Sequence, residues 1–127
     1  MRRQTLACVT LLAGLLATDN RALANPELIN KAIQRINACG AKFQDKPLRT
    51  CVADVFDQFL HVKSLPAREA VSGLRAAATR AEAVSVLQRA VSAINNLAAQ
   101  SSGTVRFNLN GVNRAFKRAL SVISSKG

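Results

Sequence analysis

The chain contains no tryptophan and no tyrosine, so phenylalanine supplies all five of its aromatic side chains. Proteins use flat amphipathic rings to stack on sugars and nucleobases and to enclose quaternary ammonium groups. This scarcity argues against sugar-stacking platforms, base-stacking platforms and aromatic cages.

Groups that carry out acid–base and nucleophilic chemistry are also few, with one histidine and seven carboxylates in 127 residues. The serines lack a G-x-S-x-G elbow, there is no glycine-rich phosphate loop, and no two cysteines form a C-x-x-C pair. We therefore expect a protein that is not an enzyme and that needs no cofactor.

The single histidine, His61, follows Asp57 by four residues, so the two share one edge of a helix. An Asp-x-x-x-His pair can hold a divalent metal or act as an acid–base dyad. The alternative is a solvated helix end, where a histidine is favoured by the helix dipole. Because metal sites usually recruit three or more ligands, we expect no metal site, and Asp57 and His61 are only weak candidates for one. A small metal-binding or hydrolytic protein is correspondingly the third function hypothesis.

Residues 1–24 have the pattern of a cleavable export signal. Arg2 and Arg3 form a positive start, residues 6–17 are apolar, and Ala22-Leu23-Ala24 matches a signal-peptidase site. The apolar run is too short for a spanning helix, which needs about 20 residues. The pattern predicts a bacterial protein that is periplasmic or secreted and has no transmembrane segment after cleavage. General secretion is favoured over the twin-arginine route, because only Met1 precedes the two arginines.

Cleavage would remove Cys8 and leave Cys39 and Cys51 as the only cysteines. An even number of cysteines in an oxidising compartment predicts a disulfide between them. A loop of this length contributes on the order of 3 kcal/mol in the chain-entropy model.

The chain has 18 basic and 7 acidic residues, which gives a formal net charge of +11. The export signal carries three arginines and one aspartate, so the charge after cleavage is +9. Such an excess favours lipid headgroups, lipopolysaccharide phosphates, cell-wall polymers or acidic protein surfaces as partners.

Helical periodicity dominates residues 25–127. A first helix begins after Asn25 and ends at Gly40, and a second begins at Pro47. A third begins at Ser64, and the capping box that starts at Thr79 begins a fourth unless one long helix runs from Ser64 to Ala99. The second helix has the clearest apolar stripe, formed by Leu48, Cys51, Val52, Val55, Phe56, Phe59 and Leu60. We predict a single all-α domain over 25–127, a small antiparallel bundle of four to five helices with one disulfide.

Residues 104–109 alternate apolar and polar side chains as a strand does, but no second strand is available to pair with them. We interpret them as an extended connector whose apolar residues fill the core, followed by a turn at Asn110-Gly111. A last helix then has an apolar face opposite basic side chains. The candidate anion-binding residues are Arg106, Arg114, Lys117 and Arg118.

Two interpretations of this basic cluster stay open, an anion-binding surface and a solvated coat that keeps the bundle soluble. The leading function hypothesis is an exported, non-enzymatic helical protein that binds a macromolecule, such as a protein, in the envelope or outside the cell. The alternative is a basic protein that binds an anionic polymer or lipid surface, lipopolysaccharide or extracytoplasmic nucleic acid. The oligomeric state does not follow from the sequence.

Overall fold

The computed structural model describes residues 26–60 and 65–127, and within them all regular structure is helical. The helices are α1 (Pro26–Lys42), α2 (Asp45–Val55, continued by a π-helical turn over Phe56–Leu60), α3 (Leu65–Ala76), α4 (Arg80–Ala99) and α5 (Gly103–Lys126). The prediction of an all-α protein with four to five helices is confirmed for the described residues, which form five. The export signal and Ser64 lie outside them.

The break between α3 and α4 is fixed by a capping box. Thr79 Oγ1 accepts a hydrogen bond from the backbone N–H of Glu82 at 3.1 Å, and Glu82 Oε1 accepts one from the N–H of Ala78 at 2.8 Å. These bonds satisfy donors that the first turn of a helix leaves unpaired. The alternative of one long helix from Ser64 to Ala99 is therefore wrong.

The stripe predicted on the second helix lies in the hydrophobic core, where Phe56 is fully buried. Its ring meets that of Phe116 on α5 edge to face, with centroids 4.6 Å apart. Such pairs contribute about 0.5–1.5 kcal/mol beyond their burial. The contact ties α2 to α5, the two helices that supply the largest core side chains.

The predicted connector over residues 104–109 and the predicted turn at Asn110-Gly111 are both wrong, because α5 runs without a break through them. Gly111 weakens a helix intrinsically, but tertiary packing supplies most helical stability in proteins. Here a Cβ on Gly111 would lie 3.6 Å from Ile29, so α1 packs directly on this part of α5. Of the three alternating apolar residues only Leu109 is buried, whereas Val105 and Phe107 are exposed.

Gly40 does not end the first helix, which continues to Lys42. A Cβ at Gly40 would lie 2.7 Å from Val122 Cγ1, so the glycine is needed where α1 crosses α5. Gly73 has the same role between α3 and α4, because a Cβ there would lie 2.8 Å from both Cγ atoms of Val86. Close packing of this kind lets a core poor in large side chains reach high density.

The Sγ atoms of Cys39 and Cys51 lie 2.03 Å apart, at the distance of a disulfide, and join α1 to α2. The burial of Arg49, which is only 4% exposed, does not follow from the sequence pattern. Its guanidinium donates hydrogen bonds to the backbone carbonyls of Gly127 and, at 3.4 Å, Ala78. A buried charge needs such partners, and these join α2 to the segments that follow α5 and α3.

Replacing Gly73 with alanine is expected to destabilise the fold. Val86 is β-branched and has one strongly preferred rotamer in a helix, so α3 and α4 must move apart to admit the new methyl group. Overpacking costs about 1–3 kcal/mol, more than the roughly 0.5–1 kcal/mol that alanine gains over glycine within a helix. Urea unfolding measures the change in the free energy of unfolding.

Gly111→Ala is the matched control, because the added Cβ would make only an ordinary contact, 3.6 Å from Ile29. This variant is expected to be stabilised by up to about 1 kcal/mol. Equal stability of the Gly73→Ala and Gly111→Ala proteins contradicts the close packing of α3 on α4.

Candidate anion-binding surface

The helix α5 carries basic side chains and no acidic ones. Its five basic residues are Arg106, Arg114, Lys117, Arg118 and Lys126. At 3.6 residues per turn, the four predicted anion-binding residues fall within about a third of the helix circumference and extend about 18 Å along it. We call the side of α5 that carries these four residues its outer face. The structure therefore places the four predicted residues on one side of one helix.

The opposite side of α5 is the core-facing side, with Val112, Phe116 and Ile123 fully buried. It packs against both α1 and α4. The apolar stripe of this helix is thus occupied by the protein's own core. An interfacial role in which that stripe detaches and enters a membrane has no support from the packing, and the outer face is what α5 offers to a partner.

Three cations of α5 hold neighbouring elements. Arg106 Nε donates to the carbonyl of Ala98 at 3.0 Å, at the negative end of the α4 dipole, where a cation is favourable. Arg118 Nε donates to Asn37 Oδ1 at 2.5 Å, and Lys126 Nζ donates to the carbonyl of Gly40 at 2.9 Å. Part of the basic character of α5 is therefore structural.

Arg114 and Lys117 differ from these three, since both are exposed and neither has an ion-pair partner among the described residues. Arg114 lies three residues before Lys117 and four before Arg118, spacings at which like charges repel by a few tenths of a kcal/mol per pair. Among the described residues, neither Arg114 nor Lys117 has a hydrogen bond or ion pair that offsets this repulsion. These two side chains are the part of the surface most available to an anionic partner.

Phe107 stands on the outer face with its side chain 62% exposed. The strand-like alternation of residues 104–109 predicts a core position for Phe107, and this prediction is wrong. A helical projection carried back from Phe116 would have found the exposed position, since Phe107 lies nine residues earlier and falls on the opposite side of α5. Val105, also assigned to the core, lies exposed in the first turn of α5.

Two shallow grooves flank α1. One, of about 320 Å³, lies against α5 and is lined by Asn37, Arg118, Ser121 and Lys126, among others. Its two cations already bind protein acceptors, and it lies near the ends of both helices, where the dipoles disfavour anions. The other, of about 210 Å³, lies between α1 and α2 beside the disulfide.

Of the two weak metal candidates, the structure describes only Asp57. Among residues 26–60 and 65–127 there is no group of three or more histidine, cysteine or carboxylate side chains arranged to hold a metal ion. The Asp57 carboxylate lies 3.7 Å from Arg75, which also binds Asp54 at 2.8 Å, and His61 lies outside the described residues. The expectation that Asp57 and His61 form no metal site therefore stays a prediction.

In the described part of the chain, no helix has the length and hydropathy that crossing a membrane requires. No protein-family model matches the chain, and no curated protein or solved structure matches it.

Proposed function

We propose that this protein is an exported, non-enzymatic helical protein that binds anionic macromolecular surfaces of the bacterial envelope through the outer face of α5. The observation that carries the proposal is the unneutralised charge of that helix. The carboxylates of the described residues are Glu27, Asp45, Asp54, Asp57, Glu69 and Glu82, all on α1–α4 and none on α5.

The neighbourhood of α5 supports this choice among the partners that the net charge allows. On the α4 side, the residue that bonds Asn113 of α5 is the uncharged Asn95, at 2.8 Å. On the α1 side, Arg118 meets the amide of Asn37 and not a carboxylate. A positive surface that its own protein does not neutralise attracts phosphate and carboxylate groups of a partner.

A non-catalytic role is favoured by the small number of reactive groups and by how they are used. Asp54 and Asp57 face Arg75, and Cys39 is joined to Cys51.

The proposed arrangement is a bundle in which consecutive helices run antiparallel, whereas α1 and α5 run parallel, since Gly111 lies by Ile29 and Val122 by Gly40. The contacts between α4 and α5 support antiparallel packing of these two helices. Arg106 pairs with Ala98, and Asn113, further along α5, pairs with Val91, which lies further back along α4.

Export is part of the proposal and is supported by the pattern of residues 1–24 and by the paired cysteines, since disulfides persist in oxidising compartments. Mass spectrometry of protein recovered from cells that express the full chain tests it. The expected mass corresponds to a start at Asn25 and is two hydrogens below that of the fully reduced protein. An intact Met1 with free thiols contradicts export.

Binding is tested with the processed protein and sedimented vesicles that contain phosphatidylglycerol. The double variant Arg114→Gln/Lys117→Gln is expected to bind roughly thirtyfold more weakly, because each basic side chain near an anionic membrane contributes about 1 kcal/mol and 1.4 kcal/mol is tenfold. Binding of the unmodified protein should fall steeply with salt, since exposed charges are screened.

The matched control is Arg80→Gln/Arg89→Gln, which removes two exposed charges from α4 and leaves α5 intact. Urea unfolding checks that both double variants keep the stability of the unmodified protein. If the two double variants lose affinity equally, the outer face of α5 is not the binding surface. If the unmodified protein does not bind in low salt, the proposed function is wrong.

A further inference from the structure

Most of the exposed large hydrophobic side chains lie at the ends of three helices, α3, α4 and α5. Among the described residues, the large hydrophobic residues that are exposed by about a third or more are Phe43, Leu65, Leu97, Val105 and Phe107. Apart from Phe43, they belong to helix ends: Leu65 begins α3, Leu97 lies in the last turn of α4, and the other two lie in the first turns of α5.

These three helix ends lie at the same end of the molecule. The start of α3 lies beside the last turns of α4, because Pro66 and Ala93 line one groove. The start of α5 lies beside the end of α4, because Arg106 Nε reaches the carbonyl of Ala98 at 3.0 Å. We call the set of Leu65, Leu97, Val105 and Phe107 the apolar end.

The apolar end and the cations of the outer face adjoin each other on α5. Arg106 stands between Val105 and Phe107 in the chain, and Arg114 follows Phe107 by seven residues, two helical turns. Along a helix this places the Arg114 Cα about 10 Å from that of Phe107 and on nearly the same side. The connection over residues 100–102 between α4 and α5 carries no charge.

We propose that the apolar end enters the headgroup region of an anionic lipid bilayer, with Phe107 as the principal anchor and Arg114 and Lys117 on lipid phosphates. This rests on the proposed function and names a bilayer as the partner of that surface. Apolar side chains flanked by lysine and arginine are the pattern of segments that bind at membrane interfaces.

Two features favour a bilayer over a second protein as the partner: the cation within the apolar end and the scattered placement of its apolar side chains. The apolar side chains stand singly between polar residues, whereas the centre of a protein interface is a contiguous apolar patch depleted of charge. Arg106 lies within this set, and a bilayer places such a cation at the phosphates while its apolar neighbours lie deeper. A soluble polyanion has no apolar layer and gives the exposed Phe107 nothing to contact.

The absence of tryptophan from the chain allows a clean test, because Phe107→Trp gives the processed protein a single indole reporter. Its emission is expected to shift to the blue on addition of phosphatidylglycerol vesicles and to be quenched by lipids brominated on their acyl chains. Phe43→Trp is the matched control, since Phe43 is also exposed, at 41%, but follows the end of α1. Its emission should not change.

Affinity measurements separate the failure of this inference from failure of the proposed function. Phe107→Ser is expected to weaken vesicle binding about fivefold more than Phe43→Ser does, and to leave binding to soluble polyphosphate unchanged. If both indoles stay in water while the vesicles bind, α5 recognises charge only and the inserted anchor is wrong. If neither vesicles nor polyphosphate bind the unmodified protein, the proposed function fails as well.

Discussion

The burial of α5 between α1 and α4 is the interaction on which the other features depend. Phe116 on its inner side meets Phe56 of α2, and Gly40 lets α1 and α5 approach each other closely. Because the inner side is filled by the protein's own core, the apolar stripe of α5 is not a free membrane-binding face. The residues that α5 presents to solvent include a row of cations and the exposed Phe107.

Small residues determine how this core is built. With no tryptophan or tyrosine to fill space, the helices approach through alanine and glycine, as Ala70 and Gly73 show on α3. A core of this kind buries little area per residue, and a domain of about 100 residues has modest stability. The Cys39–Cys51 pair and the buried Arg49 add cross-connections at the end where α1, α3 and α5 finish. The opposite end, with Phe107, is where the proposed membrane contact lies.

The helical class, the cysteine pair, the capping box at Thr79 and the stripe of α2 follow from the sequence, because each is a local pattern with one dominant physical reading. The segment before Asn110 does not, since alternation over six residues suits a strand as well as the start of a helix. The helix follows instead from tertiary packing, since this part of α5 lies against Ile29 of α1. The basic residues of α5 could be named from sequence. The sequence does not show which of these residues hydrogen-bond to the protein itself, because the acceptors are distant in the chain. Arg118, for example, donates to Asn37.

The central claim is that the outer face of α5 contacts an anionic membrane, and amide mapping by two-dimensional NMR tests it most directly. The processed protein, labelled with nitrogen-15, is titrated with bicelles that contain phosphatidylglycerol. The largest shifts or line broadening are expected at the amides of Arg106, Phe107, Arg114 and Lys117, with the amides of α2 unchanged. Changes centred on α2, or spread evenly over all five helices, would contradict the claim.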